Sequence, residues 1–203
     1  MKNLWVIVVI VVIIAALAGL AFFTHLEKPQ QAQQTQPQQE TDPDAMMAQV
    51  AQEIEELKQK IEKNPKDLEA LIALGNMYFD ANLPPQAIEY YTKALELESN
   101  NSNVWTDLGT MHRHNGELER DKGNLENANR ELDRAIECYQ KAVKVDPKNK
   151  NAWFNIGIVY KFEKNEPKKA LQAWKKFLEL VSPDDPHYQS LKNEVANLEA
   201  QVK

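Results

Sequence analysis

Four histidines, a single cysteine and 30 Asp or Glu residues are the side chains in this 203-residue chain available for acid–base, nucleophilic or metal chemistry. Such chemistry needs its groups to converge on one pocket. His112 and His114 stand two residues apart, so on a helix they leave by different faces and do not form the i, i+4 pair that grips a metal. Cys138 is alone, which excludes an intramolecular disulfide, a cysteine-rich zinc site and a CxxCH haem attachment. It lies beside Tyr139 on a helix expected to be packed, where a buried thiol is inert. The acidic side chains are scattered and read as a solvated face rather than an acid/base pair. The chain is therefore expected to have no catalytic residue, no metal site and no cofactor, and not to be an enzyme.

The charge balance narrows the partners further. Lys2 is the only side-chain charge before residue 25, so the rest of the chain carries 23 basic against 30 acidic residues, a balance of −7. Nucleic acid is not expected as a partner, because phosphate binding needs a clustered basic surface.

Helical periodicity positions the remaining candidates. From Asn151 to Ser182, Trp153, Ile156, Gly157 and Tyr160 fall on one helical face, and after Pro167 so do Ala170, Trp174 and Phe177. Two short amphipathic helices cannot bury their apolar faces alone, so neighbours with the same pattern are required. They are present. Trp105, Leu108, Gly109 and His112, with Ala135, Tyr139, Ala142 and Pro147, repeat the pattern, as do Leu71, Leu74, Gly75 and Tyr78 with Ala87, Tyr91 and Ala94. Gly109 recurs after Gly75 at a period of about 34 residues.

On these residues, 65–184 resemble three units of the tetratricopeptide repeat (TPR) family, whose period and W-x2-L-G-x2-Y, A-x3-F and P pattern they carry. Leu71 stands in the Trp slot, His112 in the Tyr slot and Phe177 in a small-residue slot. The resemblance implies an all-α right-handed superhelix of three helix-turn-helix repeats with flanking helices: repeat 1 over 65–101, repeat 2 over 102–149 and repeat 3 over 150–184. It also implies a concave face built from the first helix of each unit. Its partner-facing residues are Ile72, Asn76 and Phe79, then Thr106, Thr110 and Arg113, then Asn151, Phe154, Ile158 and Lys161. One subclass of the family clamps a chaperone C-terminal carboxylate. Asn76 fits that clamp, but Ile72, Asp107, Asn151 and Asn155 stand where it wants Lys, Asn, Lys and Arg. A protein or peptide segment held by apolar and aromatic contacts is expected instead.

Other segments frame the array. Leu4 to Phe23 is apolar over twenty residues, enough for one transmembrane helix of about 30 Å. Ala16-Leu17-Ala18 offers a cleaved signal peptide as the competing reading, but the apolar run continues past it, so an uncleaved anchor over 1–24 is preferred. Lys2 ahead of the span places the N-terminus in the cytoplasm and the repeats outside it, in the periplasm of a bacterial cell. Residues 25–41, rich in Gln with Pro29 and Pro37, read as a flexible linker. Residues 42–64 form an amphipathic helix with a stripe of Met47, Val50, Ile54, Leu57 and Ile61, suited either to docking on the first repeat or to a coiled-coil dimer.

Repeat 2 is irregular. The interval from Gly109 to Gly157 exceeds that from Gly75 to Gly109 by two heptads. The excess is polar and predicts a projecting hairpin whose turn lies at Gly123-Asn124 or, alternatively, at Gly116. Asp185-Pro186 predicts the start of a capping helix that runs over 185–203 with a polar outer face. The whole reads as a membrane-anchored, extracytoplasmic scaffold, similar in architecture to bacterial TPR proteins of cell-envelope assembly such as those of c-type cytochrome maturation or those on the Sec translocon. A self-assembling structural component, joined through its heptad stripes and the hairpin, is the alternative.

Overall fold

The computed structural model of the chain describes residues 43–202. These fall into two units that divide at Pro65. The first contributes one described helix, α1 (Pro43–Lys63), on which the stripe from Met47 to Ile61 runs at steps of three and four.

The second unit is a succession of helical hairpins: α2 (Leu68–Asp80) with α3 (Pro84–Leu97), α4 (Ser102–Asp121) with α5 (Leu125–Val145), and α6 (Lys150–Ile158) with α7 (Pro167–Leu180), closed by α8 (Tyr188–Gln201). Each helix packs on the next, and among the described residues there is no strand. Local chemistry sets these boundaries in the same way three times. Asp67, Asn101 and Asn149 each precede a first helix and accept a backbone N–H from it, to Ala70, to Asn103 and Val104, and to Ala152. Each hairpin turn holds one residue in the left-handed region, Asn82, Gly123 and Asn165. Pro84 and Pro167 open their helices where a missing donor costs nothing.

One glycine per hairpin lets the two helices close. A Cβ on Gly75 or Gly109 would lie 2.6 or 2.7 Å from the ring of Tyr91 or Tyr139, and one on Gly157 would overlap Trp174. These aromatics are almost wholly buried. Each also reaches across with its polar atom: Tyr91 Oη donates to Asn76 Oδ1 at 2.8 Å, Tyr139 Oη and Thr110 Oγ1 share a bond at 3.3 Å, and Trp174 Nε1 donates to the Phe154 carbonyl at 3.1 Å. The same device therefore closes all three hairpins.

Asn149 joins the second hairpin to the third. While its Oδ1 caps α6, its Nδ2 donates to Ser102 Oγ at 2.6 Å and Thr106 Oγ1 at 3.0 Å, in a buried setting. Asn149→Ala removes the cap and leaves buried hydroxyls without a donor, so a loss of about 2 kcal/mol is expected in urea denaturation. Asn149→Asp keeps the cap acceptor but sets a buried carboxylate oxygen against two hydroxyls that donate elsewhere, so its loss is expected to be at least as large.

One open expectation is decided and others change. The insertion turns at Gly123 (φ +81°), which leaves Gly116 inside α4 against Ala128 and Leu132 of α5. The capping helix begins at Tyr188 rather than at Asp185, because Asp185 Oδ1 instead accepts the His187 N–H in a turn and its carboxylate pairs with Lys150 at 3.2 Å. In repeat 3 the first helix does not stay α-helical: Val159–Glu163 is a π turn closed by Lys164 N–H to Val159 O at 3.0 Å. Its cause can be read off the numbering. Ala170 follows Gly157 one position later than Ala87 follows Gly75, and the wider turn absorbs the insertion.

The membrane localisation is corrected. Among the described residues no helix is long and apolar enough to cross a membrane, since each carries a polar face in place of about twenty consecutive apolar residues. The apolar stretch 4–23 on which that expectation and the periplasmic placement rested, and the linker 25–41, lie outside the described residues.

Candidate functional site

Relative to the hairpin glycines, the expected partner-facing residues fall into three rows. Three positions before each glycine stand Ile72, Thr106 and Phe154, and all three lie at seams. Ile72 lines a small crevice with Leu68, Leu95 and Val104. Thr106 is buried, bonded to the Ser102 carbonyl and to Asn149. Phe154 is half-buried with its ring 5.3 Å from Phe177 and 5.7 Å from His187.

One position after the glycine come Asn76, Thr110 and Ile158. Asn76 is exposed and held by Tyr91, Thr110 is held by Tyr139, and Ile158 packs on the core shared by α7 and α8. Four positions after it come Phe79, Arg113 and Lys161. Phe79 is half-buried, Arg113 pairs with Glu117, and Lys161 pairs with Glu194 of α8 at 3.2 Å. Asn151 is exposed at the start of α6. In repeat 3, α8 therefore engages Phe154, Ile158 and Lys161. Repeats 1 and 2 keep Asn76, Phe79, Thr110 and Arg113 clear of it.

Sequence reasoning passed over the charge at this open part. Asp107 on α4 is half-buried, and burial first, then the nearby Asp80 at the end of α2, pushes its carboxyl up to about 6. Burial raises the Tyr91 hydroxyl as well, with Asp107 and Asp80 adding to it. Tyr91, Asp80 and Asp107 thus share one environment, into which Asn76 is bonded. A signal was available: Asp107 occupies a slot where a carboxylate clamp would want an amide, and a carboxylate there prefers a cation.

A second cluster forms around Asn82, two residues after Asp80. His114 Nδ1 lies 2.8 Å from Asn82 Oδ1, and its Nε2 lies 3.0 Å from an Arg113 terminal nitrogen. The other Arg113 terminal nitrogen pairs with Glu117, while Arg113 Nε is buried without a hydrogen-bond partner. Burial first, then Arg113, lowers the His114 ring below the ordinary histidine range.

Beyond the open part, the long hairpin is tied to repeat 3. Arg120 pairs with Glu163, and Asp133 pairs with Lys164 at 2.6 Å. The π turn leaves Phe162 64% exposed, and Leu118 and Leu125 are exposed near the hairpin turn. His112, far from being free for chemistry, is buried with Nδ1 2.7 Å from Glu131 Oε2. Burial pushes the Cys138 thiol up to about 12. Among the described residues no group of three or more His, Cys, Asp or Glu side chains is placed to hold a metal.

Comparison with known proteins agrees with the fold. Residues 68–101 and 90–137 each match a family described as tetratricopeptide repeat, and 116–161 match one described as TPR repeat. No curated protein sequence matches the chain. Among solved structures it is similar to MamA, with 21% identity and a TM-score of 0.59 over 79% of this chain and 85% of that one. It is also similar to a thermophilic TPR protein of Thermus thermophilus, with 21% identity and a TM-score of 0.56 over 77% of this chain and 76% of that one. The type III secretion translocator chaperone SycD of Yersinia enterocolitica is 16% identical, with a TM-score of 0.52 over 66% of this chain and 84% of that one.

Proposed function

We propose that this chain, which is a tetratricopeptide-repeat protein and as such a protein-interaction scaffold, takes a partner segment on the first helices of repeats 1 and 2 and seats a lysine or arginine of that segment between Asp80 and Asp107. The observation that carries this reading is Asp107. It is a half-buried carboxylate beside a second one, and burying it beside like charge costs free energy that an incoming cation relieves. Asn76 and Thr110, already oriented by buried tyrosines, offer hydrogen bonds to the backbone of a segment, and Phe79 offers an apolar contact. That SycD is described as a chaperone of another protein supports a segment-holding role. Proteins of this family and its structural neighbours are generally scaffolds rather than enzymes, and the reading assigns no catalytic step.

Selection from a displayed library of random dodecapeptides tests it. Enriched peptides are expected to carry Lys or Arg, and Asp107→Asn is expected to weaken them about tenfold, the equivalent of about 1.4 kcal/mol. Affinity is also expected to fall as the pH drops through about 6, where Asp107 takes up its proton. Enrichment without basic residues, or equal binding by Asp107→Asn, rejects the site.

A second reading, self-association through the long hairpin, is favoured by the exposure of Leu118 (42%) and Leu125 (62%) near its turn. Sedimentation of the full chain and of Leu118→Ser with Leu125→Ser separates the two. A wild-type monomer at high concentration removes self-association.

A further inference from the structure

His114 has both ring nitrogens engaged, and by groups that dictate its tautomer. Arg113 is always a donor, so the Nε2 facing it must be the unprotonated acceptor. The proton then sits on Nδ1, where it is donated to Asn82 Oδ1. Asn82 is the residue that turns repeat 1 from α2 to α3 with φ +50°, so the ring links the turn of one repeat to the first helix of the next. Taking up a proton on Nε2 sets an N–H and a positive charge against the guanidinium, and the bond between them is lost.

We propose that His114 is a proton-operated latch on Arg113 at the joint of the first two repeats: neutral, it holds the guanidinium on Nε2 and the Asn82 turn on Nδ1, and protonated, it keeps Asn82, releases Arg113 and adds positive charge to the helix that carries Asp107. The functional half rests on the reading of Asp80 and Asp107 as the seat of a basic segment. A protonated His114 and a released Arg113, on the same helix as Asp107, oppose such a segment, so proton uptake weakens capture.

The charged groups acting on the ring are Arg113, which opposes protonation, and Glu117, which favours it, both on α4. From the α2–α3 turn it meets the Asn82 amide. Asp80, the carboxylate at the end of α2, acts on Asp107 and Tyr91. Burial and Arg113 outweigh Glu117, which keeps the latch closed at neutral pH and opens it below the ordinary histidine range.

Nitrogen NMR of the full chain, uniformly labelled, tests the latch without any ligand. The His114 signal is assigned by its loss in His114→Gln, whose amide keeps a donor and an acceptor but does not titrate, and whose melting temperature reports that the fold is intact. At about pH 7.5 the ring is expected as the Nδ1–H form, the minority tautomer of free histidine. On acidification the Asn82 amide and the Arg113 side-chain N–H signals are expected to move with the ring in the wild type and to stay fixed in His114→Gln. An Nε2–H ring at neutral pH, or a ring that titrates while Asn82 and Arg113 signals stay fixed, overturns the latch. For the functional half, a basic peptide from the display selection is expected to lose about fivefold more affinity between pH 7.5 and 5.5 with the wild type than with His114→Gln. The contribution of Asp107 is common to both proteins, so the difference isolates His114. Equal pH dependence overturns the functional half. A selection that yields no basic peptide rejects the binding site, while the tautomer and the coupled titration still decide the latch.

Discussion

Replacing Gly157 with alanine is expected to cost about 3 kcal/mol, although the same change in a free helix gains about 1 kcal/mol. The sign is decided by Trp174. An alanine Cβ at 157 would overlap the indole at Nε1 and Cδ1 and stand 2.6 Å from Cε2, and Trp174 is fully buried with Nε1 bonded to the Phe154 carbonyl. The ring cannot swing aside without giving up that bond and its packing on Ala170, Phe177, Leu191 and Leu198. α8 is packed on the same core, so its detachment is part of the expected loss. Gly116→Ala is the matched control. A Cβ there meets the Ala128 carbonyl at 3.1 Å and Leu132 Cγ at 3.3 Å, an approach the neighbours can absorb by shifting a few tenths of an ångström, so its effect is expected to stay within about 1 kcal/mol. Urea denaturation of the two variants checks the contrast. A Gly157→Ala protein as stable as the wild type would mean that α6 and α7 do not approach as closely as described. Trp174→Phe in the Gly157→Ala background should recover part of the loss, because the smaller ring opens the space the methyl needs.

What the sequence makes legible here is whatever repeats. The three glycine–aromatic pairs stand out because Gly75, Gly109 and Gly157 recur in the same apolar frame, and that frame exists because each hairpin solves one packing problem with the same residues. What is peculiar to one repeat is harder to see. The π turn leaves a single insertion between Gly157 and Ala170 as its trace, and nothing in the residue types of Val159–Glu163 marks them as wider than α. The partner-facing rows follow from the family resemblance, and a repeat pattern does not reveal which positions the next helix covers. Thr106 is committed to Asn149, and Lys161 to Glu194 of α8, because α8 occupies the place of a further first helix at the end of the array. Asp80 and Asp107 belong to different repeats and are distant along the chain, so their shared environment is a tertiary fact. The pairing of Asn82 with His114, one in a turn of repeat 1 and the other on a helix of repeat 2, is of the same kind.

Glu131→Ala is expected to cost about 3 kcal/mol or more, because it leaves a buried imidazole without its acceptor. The His112 and Glu131 side chains are only 10% and 11% exposed, and Nδ1 and Oε2 lie 2.7 Å apart. Burial holds His112 below the ordinary histidine value despite Glu131, so the pair is a neutral ring donating Nδ1–H to a carboxylate. Burial pushes the Glu131 carboxyl up, yet the hydrogen bonds from His112 and Asn115 outweigh it and hold it below the usual carboxylate range. Both groups then bind fewer protons folded than unfolded. The stability they contribute is complete above the unfolded histidine value, falls as the pH drops through the histidine range, and falls again through the carboxylate range. Asp107 works the other way. Raised to about 6, it favours the folded state most at low pH, and that share is lost as the pH rises through about 4 to 6. Stability measured between about pH 7.5 and 5 is therefore expected to decline with acid less steeply in Asp107-containing protein than in Asp107→Asn, and Glu131→Ala is expected to steepen the histidine part of the decline, because Glu131 is the group that raises His112 toward its unfolded value. Replacing both partners by apolar residues, His112→Leu with Glu131→Met, should recover most of the Glu131→Ala loss, because Arg134, a further partner of Glu131, is 58% exposed and needs no substitute. If the double variant is no more stable than Glu131→Ala, the cost lies in packing volume at the slot that tyrosine fills in the flanking repeats, and the ion pair is incidental to it.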